Sequence, residues 1–330
     1  MPLRLPHGRG LLLGAGLWLA AVSGAAAQDF PLTIAHAFGE TVIPERPQRV
    51  ATVSWANHEV PLALGVVPVG FARANFGDDD GDGLLPWVSE RLEELGAEAP
   101  PLFDEGDGID FEAVAASAPD VILAAYSGLS REDYDTLSEI APVVAYNDAP
   151  WATDWREMIR LNGSALGLAA EGEALIGRIE AEIAAAAARH PEIAGKTAMF
   201  VTHLDTRDLS TVRFYSANDT RVKFFEDLGL ASPALVREAS AGGSYSGEIS
   251  AERIDAFDDV DIVVSYGGEA LRQSVGQNPL TSRMRAVGND ALVLLGNDPV
   301  GTAANPTPLS IGWVLEDYVA RLAEAARKAE

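Results

Sequence analysis

Residues 111–126 read FEAVAASAPDVILAAY and contain the helix-and-strand unit that decides the fold. A short helical run ends at a turn with an aspartate, an apolar strand over 120–123 follows, and Tyr126 comes just after it. Residues 252–266, ERIDAFDDVDIVVSY, align with this run without a gap and also end in a tyrosine. The unit therefore occurs once in each half of the chain, which indicates two related α/β lobes.

Further strands alternate with helical stretches on both sides of these units. The predicted strands cover residues 49–53, 67–71, 120–123, 143–145, 197–201, 262–264 and 291–295. Strands that alternate with helices predict parallel sheets with right-handed crossovers. We therefore expect two Rossmann-like α/β lobes, an N-terminal lobe over residues 28–150 and a C-terminal lobe over residues 192–330.

Residues 151–191 connect the two lobes and are predicted to be mostly helical. In their second part, apolar residues recur at helical spacing, namely Leu175, Ile179, Ile183 and Ala186. A helix over 171–189 would be about 28 Å long at 1.5 Å per residue. That length is enough for one long rigid helix to join two small lobes.

The N-terminus has the three parts of a secretory signal peptide. Arg4 and Arg9 provide positive charge, residues 11–22 are an apolar run, and residues 25–27 are three alanines. The apolar run is shorter than the roughly 20 residues that span a bilayer. We therefore predict that residues 1–27 are removed on export and that the mature protein is soluble in the periplasm.

Acidic residues far outnumber basic residues, with 49 Asp and Glu against 24 Lys and Arg and a formal net charge of -25. Such a field repels phosphate backbones and anionic headgroups, so nucleic-acid and membrane-surface binding are disfavoured. The chain has no cysteine, which excludes disulfides, thiolate metal sites and cysteine nucleophiles. We expect a monomer without a nucleic-acid partner.

Five motifs, in this order along the chain, resemble those of a known family. They are PQRVATV (47–53), EVPLALGVVPVG (59–70), FEAVAASAPDVIL (111–123), LSEIAPVV (137–144) and NPTPLSIGWVL (305–315). Together they resemble the periplasmic binding proteins of ABC importers for ferric siderophores, haem and vitamin B12, and the first motif is most similar to the ferric-siderophore branch. The resemblance implies a protein that captures a ferric siderophore without catalysis.

In that family the ligand lies between the lobes, at the carboxyl ends of the strands, where α/β sheets generally bind ligands. Arginines suit the anionic oxygens of a chelate, and aromatic faces suit its rings or apolar arms. The candidates just past the predicted strand ends are Trp55, Arg73, Tyr126, Ser127, Trp151, His203, Arg213, Tyr215, Tyr245 and Tyr266. Arg73 and Arg213 matter most to this prediction, because so acidic a protein must place positive charge locally to hold an anion.

The resemblance also implies partners and excludes a resident cofactor. The chelate already supplies oxygen ligands to the iron, so we expect no metal ligand and no cofactor from the protein. Members of the family deliver the ligand to an ABC permease and carry one surface glutamate on each lobe for docking. By position after the matching strands, these would be Glu132 and Glu269.

Several other interpretations compete with a siderophore carrier. Direct zinc or manganese capture could use His58, Glu59, His203 and Asp205, and haem or cobalamin could replace the siderophore. Residues 78–83, DDDGDG, match the opening of a calcium loop but lack its later glutamate, so an acidic solvated loop is favoured. An enzyme is disfavoured, because the sequence has no Gly-x-Ser-x-Gly elbow and no nucleotide-binding glycine motif.

Overall fold

The computed structural model describes residues 29–202, 204 and 206–329. The predicted signal peptide, residues 1–27, and the candidate ligand residue His203 lie outside these residues. Among the helices that are described, none is both long enough and apolar enough to cross a membrane.

An antiparallel hairpin and a five-stranded parallel sheet form the N-terminal lobe. The elements are β1 (Leu32–His36), β2 (Gly39–Ile43), β3 (Val50–Thr52), α1 (Glu59–Ala63), β4 (Gly70–Ala72), α2 (Pro86–Glu94), β5 (Leu102–Phe103), α3 (Phe111–Ala116), β6 (Val121–Ala124), α4 (Arg131–Ser138) and β7 (Val143–Ala145). The sheet order is β5-β4-β3-β6-β7, and all its strand pairs are parallel. Every residue of β6 is buried, as expected for a parallel strand with helices on both faces.

Two helices connect the lobes, α5 (Trp155–Ala165) and α6 (Ala169–Arg189). The second has 21 residues, which corresponds to about 31 Å. The Asp154 side chain accepts a hydrogen bond from the Glu157 backbone N–H and so caps α5. A long helix between the lobes is therefore present where the apolar spacing predicted it.

The C-terminal lobe contains a second five-stranded sheet. Its elements are β8 (Ala198–Val201), β9 (Thr211–Tyr215), α7 (Thr220–Asp227), α8 (Ala234–Ser240), β10 (Ser246–Ser250), β11 (Ile262–Tyr266), α9 (Glu269–Gln277), α10 (Arg285–Gly288), β12 (Leu292–Leu295), α11 (Pro299–Ala303) and α12 (Ser310–Lys328). The order β10-β9-β8-β11-β12 matches that of the first sheet, and β6 and β11 hold equivalent positions. The repeated unit thus provides one inner strand to each sheet.

The prediction of wholly parallel sheets is wrong for the second lobe. Strand β9 pairs antiparallel with both β8 and β10. The connection over 202–210 is too short for a parallel crossover, which needs a dozen or more residues. The half-buried pattern of β9 and the exposed positions of β10 also lack the continuous apolar run that revealed the inner strands.

One contiguous cluster of buried apolar side chains extends through both lobes. It includes Phe71 and Trp87 of the N-terminal lobe, Ile179 of α6, and Phe200 and Tyr318 of the C-terminal lobe. Helix α12 packs directly against α6. The lobes therefore share a core and are joined by more than a single linking helix.

Buried polar contacts reinforce this junction. The Glu59 carboxylate accepts a hydrogen bond from Trp87 Nε1 (2.7 Å) with Oε1 and one from the Leu309 backbone N–H (2.8 Å) with Oε2. Glu59 is 1% exposed. At a second point, Trp155 Nε1 donates to Asp227 Oδ2 at 3.1 Å. Glu59 thus ties the N-terminal lobe to the segment that leads into α12.

Replacing Glu59 by alanine is expected to destabilise the protein by about 2–4 kcal/mol, because it leaves two buried N–H donors without an acceptor. Urea denaturation followed by tryptophan fluorescence measures the free energy of unfolding. Glu59→Gln keeps one acceptor oxygen, so its free energy of unfolding should fall less than that of Glu59→Ala. Equal stability of Glu59→Ala and the unchanged protein would contradict this role.

Candidate ligand-binding cleft

A cavity of about 650 Å³ lies between the two lobes. The segments that follow β3, β4 and β6 line it from the N-terminal lobe, and β9, β11 and the start of α7 line it from the other. Parallel strands end at one edge of a sheet, so the side chains at and after the ends of β3, β4, β6 and β11 meet at that edge, whereas β9 is antiparallel and is not covered by this rule. The position agrees with the cleft expected from the sequence.

Most of the candidate ligand residues line this cavity. They are Trp55, Arg73, Tyr126, Trp151, Tyr215, Tyr245 and Tyr266. The two tyrosines of the repeated unit, Tyr126 and Tyr266, therefore reach one cleft from opposite lobes. The contribution of each residue to ligand binding stays a prediction, whereas their convergence is a feature of the structure.

Two aromatic residues at the cleft expose large apolar faces. Trp151 is 37% exposed and Tyr245 is 49% exposed. The Trp151 ring meets Tyr126 edge-on, with centroids 5.3 Å apart. Gly128 permits this position of the indole, because a Cβ there would lie 2.5 Å from Trp151 Nε1. These rings provide flat surfaces on which a bulky ligand can pack.

Two candidates lie outside the lining formed by the described residues. Ser127 is fully buried, and its hydroxyl donates to the Ala124 carbonyl at 2.7 Å. Arg213 is exposed on β9 and pairs with Glu248 on the neighbouring strand at 3.3 Å. Proximity to a strand end therefore did not place these two side chains in the cavity, because each has a local partner elsewhere.

Arg221, the more buried of the two arginines in the described lining of the cleft, was not among the residues predicted from the sequence. Arg221, in the first turn of α7, donates through Nη1 to Asp219 Oδ2 at 3.0 Å and through Nε to the Tyr266 hydroxyl at 3.1 Å. Its guanidinium carbon is 4.5 Å from the centroid of the Tyr215 ring. Asp219 is the N-cap of α7, so an aspartate capping signal shortly after a strand was the clue available in the sequence.

Arg221 and Asp219 form a buried ion pair, with side chains 16% and 4% exposed. Burial raises the pKa of Asp219, although the adjacent guanidinium opposes this effect. Burial alone would lower the pKa of Arg221, but the attraction of the adjacent Asp219 carboxylate helps to raise this pKa well above its ordinary value. Burial also raises the pKa of Tyr215 to about 12, so this hydroxyl stays protonated near neutral pH.

The geometry argues against zinc or manganese capture at His58 and Glu59. Both oxygens of Glu59 already accept hydrogen bonds from N–H groups. The His58 ring stacks on Phe71 with centroids 4.3 Å apart, and burial lowers its pKa to about 3. The other two proposed ligands, His203 and Asp205, lie outside the described residues.

The acidic loop over 78–83 forms the one cluster of possible metal ligands found among the described residues. Carboxylate oxygens of Asp78, Asp80 and Asp82 lie within 4.8 Å of one another. The Asp78 carboxylate accepts hydrogen bonds from the backbone N–H groups of Gly81 and Gly83. These hydrogen bonds to the loop's own backbone N–H groups stabilise its conformation, and the acidic solvated loop stays the favoured prediction.

Glu105 is a partly buried carboxyl in the lining of the cleft. Its oxygens lie 2.9 and 3.1 Å from the Ser54 backbone N–H, which donates to them. Burial raises the pKa of Glu105 from 4.5 to about 7, and the nearby Asp110 carboxylate adds to the shift. The folded protein therefore holds a proton here at pH values where the unfolded chain has released it.

Two α/β lobes that share a core and enclose an aromatic cavity define a two-lobed ligand-binding protein. Comparison with known proteins identifies its family. The family model described as "Periplasmic binding protein" matches residues 50–299, and the chain belongs to this family. The resemblance found in the sequence motifs is thus confirmed.

Curated relatives match over part of their length. The chain is 29% identical over 152 residues to the probable siderophore-binding lipoprotein YfiY of Bacillus subtilis, a stretch that covers 44% of this chain and 41% of that protein. It is 32% identical over 124 residues to the Fe(3+) dicitrate-binding periplasmic protein FecB of Escherichia coli, covering 34% of this chain and 37% of that one. The chain therefore spans about two fifths of these relatives.

Solved structures match over nearly their whole length. PiaA of Streptococcus pneumoniae, solved in complex with ferrichrome, has a TM-score of 0.87 and 42% identity, covering 90% of this chain and 99% of PiaA. A periplasmic solute binding protein from Mycobacterium smegmatis has a TM-score of 0.71 and 27% identity, with 89% and 98% coverage. The two-lobed α/β fold is therefore that of substrate-binding transport proteins.

Stability is expected to fall as the pH rises from about 4.5 to 7, because ionising Glu105 disfavours the folded state. The shift corresponds to about 3 kcal/mol once Glu105 is ionised. Glu105→Gln stays neutral and should remove this part of the pH dependence, as measured by urea denaturation at pH 4.5 to 8. Glu98→Gln, at an exposed position, provides the matched control. Identical pH profiles for Glu105→Gln and the control would contradict the assignment.

Proposed function

We propose that this protein captures a ferric siderophore in the cleft between its lobes and delivers it to an ABC permease. The observation that carries the proposal is the aromatic cavity of about 650 Å³, with Arg73 and Arg221 in its lining. It is supported by 42% identity to PiaA, whose structure contains ferrichrome. It is also supported by a siderophore-binding lipoprotein among the curated relatives.

The chemistry of the lining suits binding of a pre-formed chelate. Such a chelate supplies hard oxygen ligands to the ferric ion, so the protein has only to recognise the outside of the complex. Aromatic faces contact its organic arms, and arginine N–H groups donate hydrogen bonds to its oxygens. We infer that no bond of the ligand is made or broken, which agrees with a family of transport proteins rather than enzymes.

The proposal also includes a location in the periplasm and a monomeric state. The signal peptide predicted over 1–27 would direct the protein to the periplasm, where a chelate crossing the cell envelope can be captured. One chain provides both walls of the cleft. We therefore propose that a monomer is the binding unit.

Titration of the purified mature chain with ferric chelates tests the proposal. Quenching of tryptophan fluorescence reports occupancy, because Trp55 and Trp151 line the cleft. One set of titrations uses ferric hydroxamate, catecholate and citrate complexes. The other uses the competing ligands, which are zinc, haem and cobalamin. Saturable binding of at least one ferric chelate is expected, with a monomeric mass by light scattering. Binding of zinc, haem or cobalamin alone would overturn the siderophore assignment.

Arg73→Ala is expected to weaken binding of the preferred chelate by about tenfold, since Arg73 lines the cavity and its guanidinium can donate hydrogen bonds to the oxygens of a chelate. Isothermal titration calorimetry measures the change. The control is Arg253→Ala, because Arg253 is exposed and pairs with Asp255. Arg213→Ala should behave like this control, since Glu248 already neutralises it. Unchanged affinity of Arg73→Ala would remove Arg73 from the site.

Permease docking is proposed for the two surface glutamates. Glu132 lies in the first turn of α4 and Glu269 in the first turn of α9, so each follows the inner strand of the repeated unit in its lobe. Both are exposed. Equivalent positions on two lobes provide a pair of negative charges that can meet basic residues of a permease.

Charge reversal by Glu132→Arg and Glu269→Arg should slow or abolish docking while leaving chelate affinity unchanged. The effect falls mainly on the association rate, because exposed charges steer encounters more than they add affinity. Surface plasmon resonance with the permease in nanodiscs measures this rate. The control replaces two exposed glutamates elsewhere, Glu98→Arg and Glu226→Arg. Equal association rates for both double variants would contradict the assignment.

A further inference from the structure

We propose that Asp219 is a specificity-determining residue that makes the cleft select a ferric chelate without net negative charge. The inference rests on the proposed function and adds to it the charge class of the ligand. The class that fits is a neutral ferric trihydroxamate, in which three hydroxamate groups balance the charge of the ferric ion. The sequence left the chelate open and gave most weight to Arg73 and Arg213, as local positive charge that could hold an anion.

The first observation is that Arg221, the more buried of the two arginines in the described lining, is already neutralised. Arg221 Nη1 donates to both oxygens of Asp219, at 3.2 and 3.0 Å. Asp219 is only 4% exposed, so solvent screens this pair weakly. An anionic ligand that approached Arg221 would meet the Asp219 carboxylate beside it. The guanidinium can therefore donate hydrogen bonds to a ligand without offering a net positive charge.

The second observation concerns the other charges in the described lining. Arg73 and Arg221 are its cations, and its carboxyl groups are Glu59, Glu105, Asp133 and Asp219. Burial raises the pKa of Glu59, Glu105 and Asp219, but among the described residues only Asp219 of these three has an arginine within ion-pair distance, which favours its ionised form. Even with both of these glutamates protonated, the remaining aspartates balance the two arginines. The lining thus has no excess of positive charge.

The rest of the protein does not add positive charge to the cleft. The whole chain carries a formal net charge of -25, which repels anions from the entrance. The uncharged part of the described lining is rich in aromatic side chains, and two of them, Trp151 and Tyr245, are exposed. Such walls favour the apolar arms of an uncharged complex, since no strong field is needed to hold it.

The first experiment compares two ligands with the same iron-binding scaffold. N-acetyl ferrioxamine B is neutral, and N-succinyl ferrioxamine B carries one negative charge at neutral pH. The unchanged protein should bind the succinyl derivative about tenfold more weakly than the acetyl derivative, because the negative charge of the succinyl group is repelled by the nearby Asp219 carboxylate. Equal or tighter binding of the succinyl derivative would overturn the charge selection.

A broader set of chelates separates this inference from the proposed function. Ferrichrome, ferric dicitrate and a ferric tricatecholate are titrated under the same conditions. Preference for ferrichrome supports the inference. Preference for an anionic chelate overturns it and leaves siderophore binding intact, whereas failure to bind any ferric chelate overturns the proposed function itself.

The role of Asp219 is tested with Asp219→Asn, because asparagine is an equally good N-cap for α7. This variant should reduce the tenfold difference between the succinyl and acetyl derivatives to about twofold or less. Asp255→Asn removes the same charge from an exposed position and should leave the difference unchanged. Asp219→Ser, a second capping residue, gives an independent measurement if the first variant folds poorly. An unchanged ratio in either folded Asp219 variant would show that Asp219 does not set the selection.

Discussion

The apolar core shared by the two lobes is the constraint on which the cleft depends. Ile179 of α6 and Tyr318 of α12 belong to the same buried cluster as Phe71 and Phe200, which come from opposite lobes. Because this cluster is close-packed, the two sheets cannot turn freely relative to each other. Their strand ends therefore face one cavity in a fixed relation, and the aromatic residues on each side lie opposite one another before any ligand arrives.

The strands that could be predicted from the sequence were those whose residues are buried along their whole length. Strand β7 was predicted with its observed bounds, and the inner strands with bounds close to those observed, because strands covered on both faces read as unbroken apolar runs. The β9-β10 pair has no such run and was missed. Selecting side chains that come just after predicted strands correctly placed Tyr126 and Tyr266 in the cleft. It could not find Arg221, whose importance arises from neighbours such as Tyr215 and Tyr266 in the fold.

We infer that the arrangement around Arg221 contributes to ligand recognition more than to stability. A buried ion pair adds little to stability, because the cost of desolvating both charges offsets their attraction. Here the pair is held further by the Tyr266 hydroxyl and by the face of Tyr215, so the guanidinium has little freedom left to lose. A ligand that meets groups already fixed in position pays a smaller entropic cost on binding. The site therefore favours a rigid ligand whose oxygens match the fixed donors.

The repeated unit also connects the cleft to the outer surface. In each lobe, a cleft tyrosine lies at or just after the end of one inner strand, and the glutamate proposed for docking lies in the first turn of the next helix. Tyr126 and Glu132 are therefore linked by a short segment, as are Tyr266 and Glu269. Since the shared core resists a wide hinge movement, we infer that a permease that senses occupancy through these glutamates would detect a small change in the two segments and not a large movement of the lobes. We infer that a chelate packed against the cleft tyrosines would affect both segments at once, because the same unit lies on both sides of the cleft.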